Sequence, residues 1–176
     1  MNDAGHLLDT ARPIPGELSC LGIETSGFEF SFDDVMQAIH ALDGDETSGL
    51  AMRHGTPLTD AEMAAVGLAP QDPRPQQMSA CTFCVGGGAE GRYVCFIYGS
   101  TGPLWLRSRS GDANQLFEIA YDSGCDTELG VFTGELIATC DEIVIAARHF
   151  FLTQDPSPEL IWIPDAELGF CPWQRP

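Results

Sequence analysis

Lysine is absent from this 176-residue chain, so all eight of its bases are arginine. Against them stand 26 acids, and the formal net charge is −18. A surface of that sign repels phosphates, which argues against nucleic acid as a direct partner. An anionic membrane is disfavoured for the same reason. No run approaches the ~20 apolar residues that cross a bilayer as a helix. The opening MNDAGHLLDTARPIPGE has neither a basic n-region nor a long apolar stretch, so no signal peptide is read there and a cytoplasmic location is expected. Seven cysteines, an odd number, are then expected as reduced thiols rather than as a disulfide framework.

Catalytic signatures are equally scarce. There is no GxSxG, no HExxH and no deaminase-like HxE with a paired PCxxC. The glycine-rich GGGAEG at 86–91 lacks the Lys and Ser/Thr of a phosphate loop and reads as a hairpin turn. Cys81-x-x-Cys84 lacks a second CxxC or a close histidine pair to complete a zinc site. On a strand, residues three apart also point to opposite faces. No catalytic residue, metal ligand or cofactor is therefore assigned, and the chain is not read as an enzyme.

What is present describes a folded body. Apolar residues make up 44% and charged residues only 19%, enough for one domain with a sizeable core. The acids are uneven. Between 13 and 52 stand Glu17, Glu24, Glu29, Asp33, Asp34, Asp43, Asp45 and Glu46, with no arginine. Between 110 and 147 stand Asp112, Glu118, Asp122, Asp126, Glu128, Glu135, Asp141 and Glu142, again with none. Two base-free stretches point to a directed patch, which would favour a basic partner and steer its approach.

Local patterns predict the elements. Residues 1–17 read as a loose arm with two prolines, and LSCLGIE and GFEFSF as short strands. SFDDVMQAIHALDG reads as a helix, capped by Ser31 with Asp34 in the capping box. LTDAEMAAVGL is a short helix with the box Thr59-x-x-Glu62, and the polar, proline-rich 69–77 a loop. The whole of 43–77, including a possible strand GLAMRH, reads as an insertion on a simpler body. Five closely spaced strands follow, at 79–85, 91–99, 102–108, 115–122 and 128–132, expected as an antiparallel meander. YVCFIY is apolar on both faces and belongs at the sheet centre. A last helix is capped by Thr139 with Glu142, its stripe Ile143, Ala146, Ala147, Phe150 and Phe151 lying on the sheet. Pro156 and Pro158 stop it, and ELIWI returns as a short edge strand. The fold class is α+β: an antiparallel sheet of about five to seven strands with helices packed on it, in a single domain.

Residues 92–164 carry a family likeness. YVCFIYG is followed by a turn and a strand, a Gly-rich gap, the capped helix TCDEIVIAARHFF and the tail LTQDPSPELIW. This order resembles the Imm-type immunity proteins of bacterial polymorphic toxin systems, in particular the first-described family, which includes guardians against DNA cytosine deaminase toxins. There the terminal helix ends in an aromatic, then a short Thr/Gly-Pro connector, then a tryptophan in the final strand. The matching positions here are Phe150 and Phe151, Thr153, Pro158 and Trp162. Pro156 is an extra proline, and in the N-terminal half the 43–77 insertion and the long arm have no counterpart. The resemblance implies a cytosolic inhibitor that binds a cognate toxin and covers its active site. A toxin acting on nucleic acid, a deaminase or nuclease, has a basic substrate groove that an acidic inhibitor complements.

The expected toxin-binding residues are Asp43, Asp45, Glu46, Asp112, Asp122, Asp126 and Glu128, with Trp105 as an aromatic anchor. Two rival functions stay open at this point. A small acidic metal-dependent hydrolase would hold stoichiometric metal at Cys81 and Cys84. An adaptor or chaperone for a secretion-system effector would bind an unfolded segment rather than a toxin domain.

Overall fold

The computed structural model describes Thr10, residues 12–20, 29–122 and 127–168. Its strands are β1 (Ile14–Cys20), β2 (Glu29–Phe30), β3 (Gly49–Pro57), β4 (Gln76–Met78), β5 (Thr82–Gly87), β6 (Tyr93–Gly99), β7 (Gly102–Arg107), β8 (Leu116–Asp122), β9 (Thr127–Thr133) and β10 (Ile161–Pro164). Three α-helices accompany them among the described residues: α1 (Phe32–Ala41), α2 (Asp60–Ala65) and α3 (Cys140–Thr153). The fold is α+β. Eight strands form one antiparallel sheet in the order β10-β7-β6-β5-β3-β1-β2, with β4 on β3. Among the described residues, no helix is long and apolar enough to cross a membrane.

The helices begin where side chains can satisfy their first N–H groups. Ser31, Thr59 and Thr139 each accept a bond from the backbone N–H three residues on, and Asp34, Glu62 and Glu142 bond back to the cap. α3 buries Ile143, Ala146, Ala147, Phe150 and Phe151 against the sheet. Each of the two phenylalanines contributes roughly 2–3 kcal/mol of apolar burial. Phe150 lies 5.5 Å from the Phe83 ring, and Phe151 lies 5.6 Å from Phe32 of α1, so α3 joins sheet and first helix. Gln154, at φ 63, ends α3 in the left-handed region.

β6 is covered on both sides because the sheet has two cores. Tyr93, Cys95 and Ile97 face the core under α1 and α3. Val94 and Phe96 face a second core with Trp105, Ile119, Tyr121, Phe132 and Leu136. That second core is roofed by β8 and β9, which pair only with each other among the described strands. The result is three layers: helices, sheet, hairpin. The expected meander is thus corrected. Its five strands exist near their predicted boundaries, but the last two leave the sheet and pack across its other face.

Two further expectations change. Residues 14–17 are not part of a loose arm, because they open β1, which pairs with β3 from Gly16 to Cys20. Nor is 43–77 a separable insertion, because β3 lies inside the sheet with β1 on one side and β5 on the other. Within it, the loop 43–48 leads into β3, and 58–75, holding α2 and its polar loop, stands outside the sheet. The strand expected over LSCLGIE begins earlier, at Ile14, and its 21–24 part, like 27–28 of GFEFSF, lies outside the described residues. ELIWI does return at an edge, as β10 against β7, and Trp162 Nε1 donates to the Ser157 carbonyl at 3.1 Å.

Candidate functional site

Strand polarity decides which loops share an end of the sheet. Gly49 of β3 pairs with Gly86, Gly87 of β5 pairs with Tyr93, and Cys95 of β6 pairs with Val85 while Trp105 of β7 pairs with Phe96. The loop entering β3, the turn from β5 to β6 and the loop leaving β7 therefore emerge at one end. The start of α3 joins them, since Ala138 bridges to Tyr93. From β3 to β7 is three strand spacings, about 15 Å.

The first loop carries Asp43, Asp45 and Glu46, all exposed. Asp43 Oδ1 accepts from the N–H groups of Asp45 and Thr47, both at 2.9 Å. Those bonds, Asp45 first, hold its carboxyl below the ordinary aspartate value. Asp43 thus builds the loop and stays anionic. The loop rests on the β5–β6 turn through two glycines. At Gly44 (φ +78) a Cβ would lie 2.8 Å from Ala89 Cβ, and at Gly88 (φ +109) one would lie 2.2 Å from the Leu42 carbonyl oxygen.

In that turn Glu90 pairs with Arg92. The Arg92 guanidinium lies 5.1 Å from the Phe117 ring centre, tying the turn to the hairpin layer. In the loop after β7, Asp112 Oδ1 accepts from the Asn114 backbone at 2.9 Å and its side-chain amide at 3.1 Å. Arg107 pairs with Glu135 at 2.8 Å, and Arg109 donates to the Glu159 carbonyl. Glu142, besides capping α3, accepts from Ser108 Oγ at 3.1 Å and the Arg109 N–H at 3.2 Å. The arginines at this end are thereby occupied, while Asp45, Glu46, Asp112 and Asp141 point to solvent.

The structure brings Asp43, Asp45, Glu46 and Asp112 to one end. Asp122 and Glu128 belong to the hairpin layer instead, near its closed end, opposite Thr127 and Tyr121. Asp126 lies outside the described residues. The first acidic stretch does not converge as a whole. Glu17, Glu29 and the α1 N-terminal Asp33 and Asp34 lie away from the β3 entry loop, with Glu17 paired in register to Arg53.

Trp105 is not a surface anchor. It is 1% exposed, its Nε1 donates to Asp165 Oδ1 at 2.9 Å, and its ring lies 4.8 Å from Phe96 and 5.9 Å from Phe132. β7 has both faces covered, so a tryptophan there packs inward. Among the described residues, the large aromatic left outside is Tyr98, 55% exposed at the β6–β7 turn. Its signal was weak, because it ends the same apolar run, YVCFIY, that forms the sheet centre.

Cys81 and Cys84 are divided by the sheet. Cys81 packs against the core under the helices and Cys84 against the core under the hairpin. The two sulfurs cannot close on one ion from opposite faces. Among the described residues, no cysteine is joined in a disulfide, and no three His, Cys, Asp or Glu side chains gather as a metal site.

The fold and this end together define a three-layer α+β protein with an anionic rim. Compared with known proteins, the chain matches no protein-family model, no curated protein and no solved structure.

Proposed function

We infer that the protein is an immunity protein. It binds a cognate bacterial toxin in the cytosol and neutralises it by occluding an active site built for nucleic acid, as in a deaminase or nuclease. The observation that carries the reading is the placement of Asp43, Asp45 and Glu46 on the loop entering β3 and of Asp112 on the loop leaving β7, loops that emerge at one end of the sheet, on a chain of net charge −18. Such a set can occupy a cationic groove in place of phosphates, and the long-range field speeds the encounter. The order of elements in residues 92–164 supports the same reading through its resemblance to immunity proteins.

The test uses the candidate toxin domain encoded beside the gene for this chain. Co-expression should restore growth to cells producing that domain, and the two purified proteins should form a complex that weakens as salt rises. The quadruple variant Asp43→Asn, Asp45→Asn, Glu46→Gln, Asp112→Asn keeps the acceptor oxygens that hold both loops and removes only charge. It should associate about tenfold more slowly. Failure of the wild-type chain to restore growth refutes the reading.

A further inference from the structure

Among the described residues, no element covers the outer face of the β8–β9 hairpin. Side chains alternate along β8 and β9. Phe117, Ile119, Tyr121 and Phe132 pack inward, which leaves the pairs Leu116–Thr133, Glu118–Val131 and Ala120–Leu129 on the outer side. Leu116 is 65% exposed and Leu129 48%. Val131 and Ala120 lie half-buried between them. Two exposed leucines on adjacent strands, about 14 Å apart along the strands, flank Val131, with the exposed Glu118 beside it.

Charge selects the occupant. Glu118 stands exposed on this face, opposite Val131, and β8 and β9 contain no base. A second copy would bring Glu118 against its like, on two chains each of charge −18, so self-pairing is opposed. A partner with a basic rim around an apolar spot is favoured on both counts.

We propose that this hairpin face, centred on Leu116 and Leu129, is the short-range docking surface for the basic toxin domain, and that the acidic sheet end supplies the long-range steering. The proposal rests on the toxin-neutralising reading and divides its kinetics. Exposed charges govern association, whereas a desolvated apolar contact governs dissociation.

Surface-immobilised candidate toxin domain is the probe, with binding followed in real time. Leu116→Arg combined with Leu129→Arg should raise the dissociation rate about tenfold or more, with association changed far less. Ile145→Arg, on the exposed side of α3, is the control and should bind as the wild type does. Circular dichroism and thermal unfolding verify that each variant is folded. If the hairpin variant is unfolded, the milder Leu116→Ser with Leu129→Ser takes its place, with a dissociation rate raised about threefold or more expected. Wild-type binding together with an unchanged dissociation rate in the folded hairpin variant overturns this inference and leaves the immunity reading standing. Absence of wild-type binding and rescue removes both. Sedimentation of the wild-type chain as a dimer that the arginine pair dissolves also overturns it, because the face then serves a second copy.

Discussion

Replacing Trp105 with alanine tests the three-layer architecture directly. The indole fills the second core between Phe96 and Phe132, and its Nε1 satisfies Asp165. Removing a buried aromatic costs about 3–5 kcal/mol in transfer and cavity terms. The half-buried Asp165 also loses its donor, adding about 1 kcal/mol. For a chain of this length each kcal/mol moves the melting temperature by roughly 2–4 °C, so a fall of about 10 °C or more is expected. Trp105→Phe keeps most of the volume and loses the hydrogen bond, at about 1–2 kcal/mol. Equilibrium urea unfolding, followed by circular dichroism and checked by calorimetry, measures both. An alanine variant that unfolds within about 0.5 kcal/mol of wild type, yet has lost its partner, would place the indole on the surface and undo the assignment of the hairpin as a roof.

Other consequences follow from single contacts. Glu142→Ala removes the capping-box return bond and the acceptor for Ser108 and Arg109. A loss of about 2 kcal/mol by urea unfolding is expected, with much of it recovered in Glu142→Gln. Gly88→Ala drives a Cβ onto the Leu42 carbonyl oxygen at positive φ, and should lower stability by about 2 kcal/mol or more, whereas an unchanged midpoint contradicts the interlocked loops. Burial among the Phe150 and Phe151 rings lowers the His54 pKa below 6.5, against a smaller opposing bond to Phe150. The unfolded chain then takes up the proton first, so His54's share of stability is intact above pH 6.5 and declines as pH falls through that value towards the folded pKa. NMR titration of the ring should place its midpoint under 6.5, and His54→Leu should reduce the loss of stability between pH 7 and 5.5.

Helices were legible because their signals are local. Ser31, Thr59 and Thr139 each stand three residues before a carboxylate, and the stripe from Ile143 to Phe151 fits one helix face. YVCFIY announced a strand with both faces covered, and its alternate residues do divide between two cores. The errors are non-local. Pro13 and Pro15 made 1–17 look loose, although β1 takes Pro15 at the stretch where its outer neighbour is only the two-residue β2. β3 looked like an insertion because Arg53 and His54 dilute its apolar pattern, yet its ladder places it inside the sheet. The hairpin's pairing could be read from its own residues, but which layer it joins depends on contacts with Gly86 and Gly87, far away in sequence. The same holds for the site. Asp43, Asp45 and Glu46 are neighbours in the chain, whereas Asp112 reaches their end only through the register of four strands.

The most direct measurement is the association rate of the wild-type chain and of the four-amide variant with the candidate toxin domain, taken across a range of salt concentrations. Wild-type association should be fast and slow as salt rises, and the variant should be about tenfold slower at low salt and converge on wild type at high salt. Equal rates for the two proteins at every salt concentration, with growth protection also unaltered, would contradict steering by these acids.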